Sequence, residues 1–233
     1  MPITPLEHQA RSRRSFVRDD FAYMLPMGVF LLFTQAGVTW PALFQASYVA
    51  KTLIVAVMLI VLWPHYSKIK WDYWWLGILF GIAGVVQWVG MEKGLLHLWP
   101  HYPRLSVEAN NPFAQIHSDG LRWTFIGIRW AGAVLLVPVM EELFWRDFLW
   151  RTIQAPNDFK LAAVGERDWT ACLIVAVIFS AVHIQWMTAI VWGLMVGGLL
   201  MLTRSLGACI LMHAVTNFLL GWYVLKTGDW YFW

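Results

Sequence analysis

Residues 137–148 read VPVMEELFWRDF, and the fold turns on how this stretch is read. Upstream, AGAVLLVPVM at 131–140 carries no charge and no turn cluster, as the interior of a membrane span does. Four ionisable groups then follow within seven positions: Glu141, Glu142, Arg146 and Asp147. Residues four apart share a helix face, so Arg146 is expected beside Glu142, where it can neutralise it. Glu141 points roughly 100° away, toward a different neighbour. The pair thus divides into one structural carboxylate and one available for chemistry.

The rest of the chain supports the membrane reading. It is 59% hydrophobic and only 13% charged, against about 25% charged for soluble domains. Many of its 17 Trp flank apolar runs, among them Trp40, Trp63, Trp74, Trp123, Trp150 and Trp222. Such positions suit amphipathic rings at the lipid–water boundary. Cys172 and Cys209 lie in apolar stretches and read as small buried hydrophobes, not as a disulfide framework. The net charge is +3 with basic residues gathered at span ends, so no nucleic-acid partner is implied.

Apolar runs of roughly 17 to 25 residues can cross a bilayer. They occur near 21–40, 46–63, 73–91, 121–150, 170–186, 187–203 and 206–225. The run 121–150 is long for one crossing, and Pro138 should kink it. It reads as a span plus a shorter helix bearing Glu141 and Glu142. The expected fold is therefore an all-α polytopic transmembrane bundle of seven or eight spans. Its parts are an N-terminal tail 1–20, one domain 21–225 with a protease-like core about 121–220, and a C-terminal tail 226–233. Counting Lys and Arg favours a cytoplasmic N-terminus, with Arg11, Arg13, Arg14, Arg18, Lys68, Lys70, Arg151, Lys160, Arg167 and Arg204 inside. Lys51, Lys93, Arg104, Arg122 and Lys226 fall on the opposite side. The loop 92–120 then faces outward, as a lid or a plain connection. A multi-pass protein of the cell inner membrane is the expected setting.

Ionisable groups inside spans cost roughly 2.5–3.5 kcal/mol each even on a lenient insertion scale, so they are functional candidates. Beyond Glu141, Glu142 and Arg146, two places qualify. One is His183, late in the apolar run FSAVH at 179–183; the other is HAVTN at 213–217, where His213 and Asn217 share a helix face. Counted at about 1.5 Å per residue from the cytoplasmic ends, Glu141 lies about 15 Å deep and His183 about 20 Å. His213 and Asn217 lie about 10 to 17 Å deep, so one shared polar site is geometrically possible. Singly, each feature has a plain structural explanation: an ion pair for Glu142–Arg146, a core histidine for His183, a helix tie for Asn217. Arg129, mid-span, invites either a carboxylate partner or snorkelling. Gly77, Gly81, Gly84, Gly193 and Gly197 have the spacing of close helix packing.

The ordered set EExxxR, FxxxH and HxxxN, across successive late spans, resembles the CAAX prenyl protease and bacteriocin-processing (CPBP, or Abi) intramembrane proteases. GLMVGG at 193–198 and SLGACILMHAVTN at 205–217 extend the likeness, which covers about 121–220. Size and Trp content are similar to the CAAX-protease-related proteins encoded with bacterial exosortase systems. The resemblance implies that Glu141 activates water and His183 helps hold it. It implies that His213 and Asn217 bind the developing oxyanion, with Glu142 and Arg146 in support. Asp147 departs from the family, which often has Gly after the Arg, and sets a further carboxylate near the site.

Peptide hydrolysis needs an activated water, for which a Glu in an apolar setting is a suitable base, and donors preorganised for the oxyanion. HExxH is absent. A zinc or other divalent site of Glu141, His183 and His213 is the alternative to Glu-activated water, and the family is commonly described as metalloproteases. The expected activity is endopeptidase cleavage of a membrane-associated or lipidated polypeptide at the lipid bilayer. The competing class is a non-catalytic scaffold or transporter-like protein using the same cluster for binding, although no internal repeat is evident.

Overall fold

The computed structural model describes the backbone of residues 5–103 and 110–233, and the side chains of 19–103 and 110–233. The expectations for Arg11, Arg13, Arg14, Arg18 and Arg104 fall outside the described side chains. Among the described residues there are helices and no strands. The helices are α1 (Pro5–Thr39), α2 (Phe44–Leu62), α3 (Trp74–Leu98), α4 (Pro112–Gln115), α5 (Asp119–Gln154), α6 (Trp169–Ser180), α7 (Trp186–Thr203) and α8 (Leu206–Thr227). Six are long and apolar enough to cross a membrane; α6 is apolar but shorter. The chain is thus an all-α polytopic bundle, and each of the seven apolar runs contains a helix.

The run around Pro138 does not split into a span and a separate helix. Instead α5 is continuous and absorbs the proline with π-helical turns at Gly132–Leu136 and Leu143–Leu149. The Val137 N–H donates to Gly132 O, five residues back, and Pro138 has no N–H to offer Ala133 O. The side chain of Asn217 supplies the missing donor, its Nδ2 lying 2.8 Å from Ala133 O. A π-bulge of this kind often marks a functional position in a helix.

Helix packing uses small residues, as expected where lipid removes the hydrophobic drive between helices. A Cβ on Gly77 would sit 2.5 Å from Ala208 O, and one on Gly84 2.6 Å from Thr216 Oγ1, so α3 and α8 meet backbone to backbone. Gly193 and Gly197 likewise let α7 close on Ala176 and Cys172 of α6. Both cysteines are buried and unpaired. Most boundary tryptophans lie on the outside, but Trp150 does not. It is fully buried over Gly197, with its Nε1 donating to Glu166 O at 3.3 Å.

The connections segregate to two ends. At one, Lys70 O accepts from Gly207 N and Ser205 Oγ, both at 2.9 Å, and Asp19 pairs with Lys160 and His65. At the other, Trp186 Nε1 donates to Pro103 O at 2.5 Å and Gln185 Nε2 to Tyr231 O at 3.1 Å. Residues 230–232 form a turn that folds back on the bundle, burying Trp230 and Phe232.

Candidate active site

α5 and α8 build the first part of the site. Glu142 is fully buried on the face that α5 turns to α8, where its Oε1 lies 2.8 Å from His213 Nδ1. Arg146, four residues on, approaches the same carboxylate with Nη1 at 3.3 Å from Oε1 and Nε at 3.3 Å from Oε2. The expected pair is present, but it is a triad: Glu142 carries both the guanidinium and the imidazole. The Arg146 guanidinium lies over the rings of Phe179 and Trp192, at 5.0 and 5.7 Å. Those faces offer partial compensation for a charge taken out of water.

His183 reaches the site differently from the sequence expectation. α6 stops at Ser180, and His183 lies on the turn that follows, not within a helix. In a continuing helix Phe179 O would accept the His183 N–H. Here the His183 N–H goes to Ser180 O at 3.0 Å, and the imidazole Nδ1 takes Phe179 O at 2.8 Å. A ring nitrogen facing a carbonyl must be the protonated one. The remaining nitrogen, Nε2, is then an acceptor. The ring is held between Phe179, 4.2 Å away, and Trp88, 5.7 Å away.

One cavity of about 310 Å³ is bordered by Glu141, His183, His213 and Asn217, with Trp88 and Trp192 among its walls. The four residues taken from three separate motifs therefore come together. Glu141 is 6% exposed and its Oε2 has no hydrogen-bond partner, while Glu142 is engaged through Oε1 by His213 and Arg146. Asn217 spends one amide hydrogen on Ala133 O and retains a second.

Among the described residues no group of three or more His, Cys, Asp or Glu side chains has the spacing of a metal site. Glu141, His183 and His213 border a common cavity without converging as three ligands. The zinc arrangement does not fit this geometry.

Asp147 does not belong to the cavity. It faces the opposite side of α5, accepting from Arg151 Nη1 at 2.5 Å, Tyr23 Oη at 2.7 Å and Ser67 Oγ at 3.1 Å. It ties α1, the connection after α2 and the end of α5 together. Arg129 finds no carboxylate among the described residues. It donates to Asn110 O at 3.2 Å and lies against Phe44, Tyr48 and Trp233.

Sequence reasoning overlooked three features. Trp88 and Trp192 border the cavity with indole N–H groups that lack partners. Glu92 is fully buried and accepts from the hydroxyls of Tyr102, Thr188 and Tyr231, the last two at 2.9 and 2.7 Å. Its charge, mid-helix in α3, was a signal in the sequence; its three hydroxyl partners, on three other segments, were not.

Fold and site together define a polytopic helical membrane protein with a buried Glu/His cavity between late helices. Residues 123–219 match the family model described as Rce1-like, type II CAAX prenyl endopeptidase Rce1-like. That segment takes in Glu141, Glu142, Arg146, His183, His213 and Asn217, so the match falls on the motifs that resemble the CPBP proteases and agrees with them. No curated protein and no solved structure matches the chain.

Proposed function

We propose that this protein is an intramembrane endopeptidase that hydrolyses a peptide bond in a lipidated or otherwise membrane-associated polypeptide. The observation that carries the reading is the cavity itself. A carboxylate with an unpartnered oxygen, Glu141 Oε2, borders the same cavity as two imidazoles and an amide.

In this mechanism a water in the cavity gives a proton to Glu141 while its oxygen attacks the scissile carbonyl carbon. His183 Nε2, left as an acceptor by the Phe179 carbonyl, holds the second hydrogen of that water. Negative charge gathers on the former carbonyl oxygen, where the second N–H of Asn217 and an N–H at His213 Nε2 can meet it. His213 needs both nitrogens protonated for this, and Glu142 is placed to balance the imidazolium. Arg146 pairs with Glu142 and holds it in place. Glu141 then returns its proton to the leaving nitrogen, which completes the hydrolysis. The N-terminus is assigned to the cytoplasmic side, because Lys68, Lys70, Lys160 and Arg167 lie in connections at the end where the membrane-spanning part of α1 begins.

The test is Glu141→Gln in purified, reconstituted protein against a quenched lipidated peptide. General-base catalysis supplies roughly 10²–10⁴-fold, so cleavage should fall by about that factor while folding is retained. Turnover at the wild-type rate removes Glu141 from the role of base.

A further inference from the structure

A second cavity, of about 700 Å³, opens beside the first and shares Leu31, Thr34, Val182 and Trp233 with it. Its walls hold two cations that the mechanism above leaves idle. Lys51, on α2, is 6% exposed, and Arg129, on α5, is 4% exposed. Lys51 Nζ donates to Thr34 Oγ1 at 2.9 Å and lies 4.2 Å from the Phe30 ring centre and 4.3 Å from that of Tyr48. Arg129 has the Asn110 carbonyl and the rings of Phe44, Tyr48 and Trp233.

These partners solvate the two charges without cancelling them. Among the described residues, no carboxylate comes within 4.0 Å of either, although every other deeply buried cation here, Arg146 and Arg151, has one. Two like charges on the wall of one cavity inside hydrocarbon are costly unless something anionic joins them.

From this we infer that the second cavity is a substrate subsite in which Arg129 and Lys51 bind the C-terminal carboxylate of the polypeptide. The inference rests on the endopeptidase reading for the identity of its ligand. A polypeptide with its scissile bond at Glu141 has room to continue past Thr34 and Val182 into this space. Depth favours a peptide over a lipid headgroup. Lys51 lies about 10 Å along α2 from Phe44, and Arg129 about 15 Å along α5 from Asp119. A lipid phosphate resides at the interface and would have to be drawn down that far. A peptide already delivered to Glu141 has its carboxylate at hand.

The experiment compares two labelled S-farnesylated hexapeptides, one ending in a free carboxylate and one in an amide. Binding to the Glu141→Gln protein is measured in nanodiscs. The acid should bind at least tenfold more tightly. Arg129→Gln with Lys51→Met should bring the ratio near one while leaving the affinity for the amide unchanged. Arg129→Lys should keep the preference. Equal affinities for acid and amide overturn the inference, and so does loss of the preference on adding phosphatidic acid alone, which would make the subsite a lipid site. The acid–amide comparison needs no variant beyond Glu141→Gln, so a misfolded double variant does not decide it. Because the affinity ratio is read without hydrolysis, failure of Glu141 as the base leaves it standing, and equal affinities leave the base assignment standing.

Discussion

Glu142 Oε1 and His213 Nδ1 face each other at 2.8 Å across the crossing of α5 and α8, and Arg146 approaches the same carboxylate from one helical turn away. A buried pair of this kind is costly to break and less costly to remove whole. Replacing one partner strands the other charge, at roughly 3–5 kcal/mol, whereas an apolar replacement of both is often close to neutral.

Arg146→Met should therefore destabilise the protein by about 3 kcal/mol or more. Arg146→Met with Glu142→Gln should recover much of that loss. Activity should stay low in the double variant, because His213 no longer has its carboxylate. Unfolding titrations in detergent and initial rates on the same samples check the two halves separately. Equal stability of the single and double variants would sink the charge-stranding account.

Asn217 has a structural duty that can be separated from a catalytic one. Asn217→Ala leaves Ala133 O without a donor, at about 1–3 kcal/mol. Pro138→Ala restores an N–H at the position that proline emptied, so the same substitution in that background should cost clearly less. If Asn217 also serves the oxyanion, activity stays depressed in the rescued protein. Full recovery of both stability and rate would assign Asn217 to the helix alone.

Asp147→Asn should act on stability and not on chemistry. It leaves Arg151 without its ion-pair partner, at about 3 kcal/mol or more, and weakens the bonds from Tyr23 and Ser67. KM and kcat per folded molecule should remain within about twofold of wild type, a change worth less than about 0.5 kcal/mol. A selective fall in kcat would place Asp147 in the reaction instead.

Chelation offers a test of the water-activation scheme. Rates after 1,10-phenanthroline treatment should equal those of a non-chelating isomer control, since the proposed steps use only side chains of the protein. Loss of activity with recovery on adding zinc would overturn the metal-independent scheme.

The sequence revealed most where local pattern and physical cost agree. Apolar runs located the helices. The spacing from Glu142 to Arg146 foretold their contact, and Gly77, Gly81 and Gly84 foretold close helix packing, which falls between α3 and α8. Its limits are equally physical. Asp147 looked like a site residue because Tyr23 and Ser67, its partners, are remote in sequence. The π-helical turn at Gly132–Leu136 goes with the missing N–H at Pro138 and an amide on another helix, which no window of α5 contains. α6 ends at Ser180, where Ala181, Val182 and His183 donate to carbonyls three residues back and the His183 ring meets Phe179 O, a contact that no turn residue announces.

That early end also bears on the surrounding lipid. Twelve residues of α6 give roughly 18 Å of helix, against a hydrocarbon core of about 30 Å. Leu173, Val177 and Ile178 are exposed along it, so this shortfall confronts acyl chains. Hydrophobic mismatch of this sense draws the two leaflets together locally. The thinned patch would lie beside His183, where hydrolysis needs water in an otherwise oily setting. Reconstitution into bilayers of increasing acyl length should then slow turnover steadily, and indifference to thickness would show that water reaches the reaction by another route.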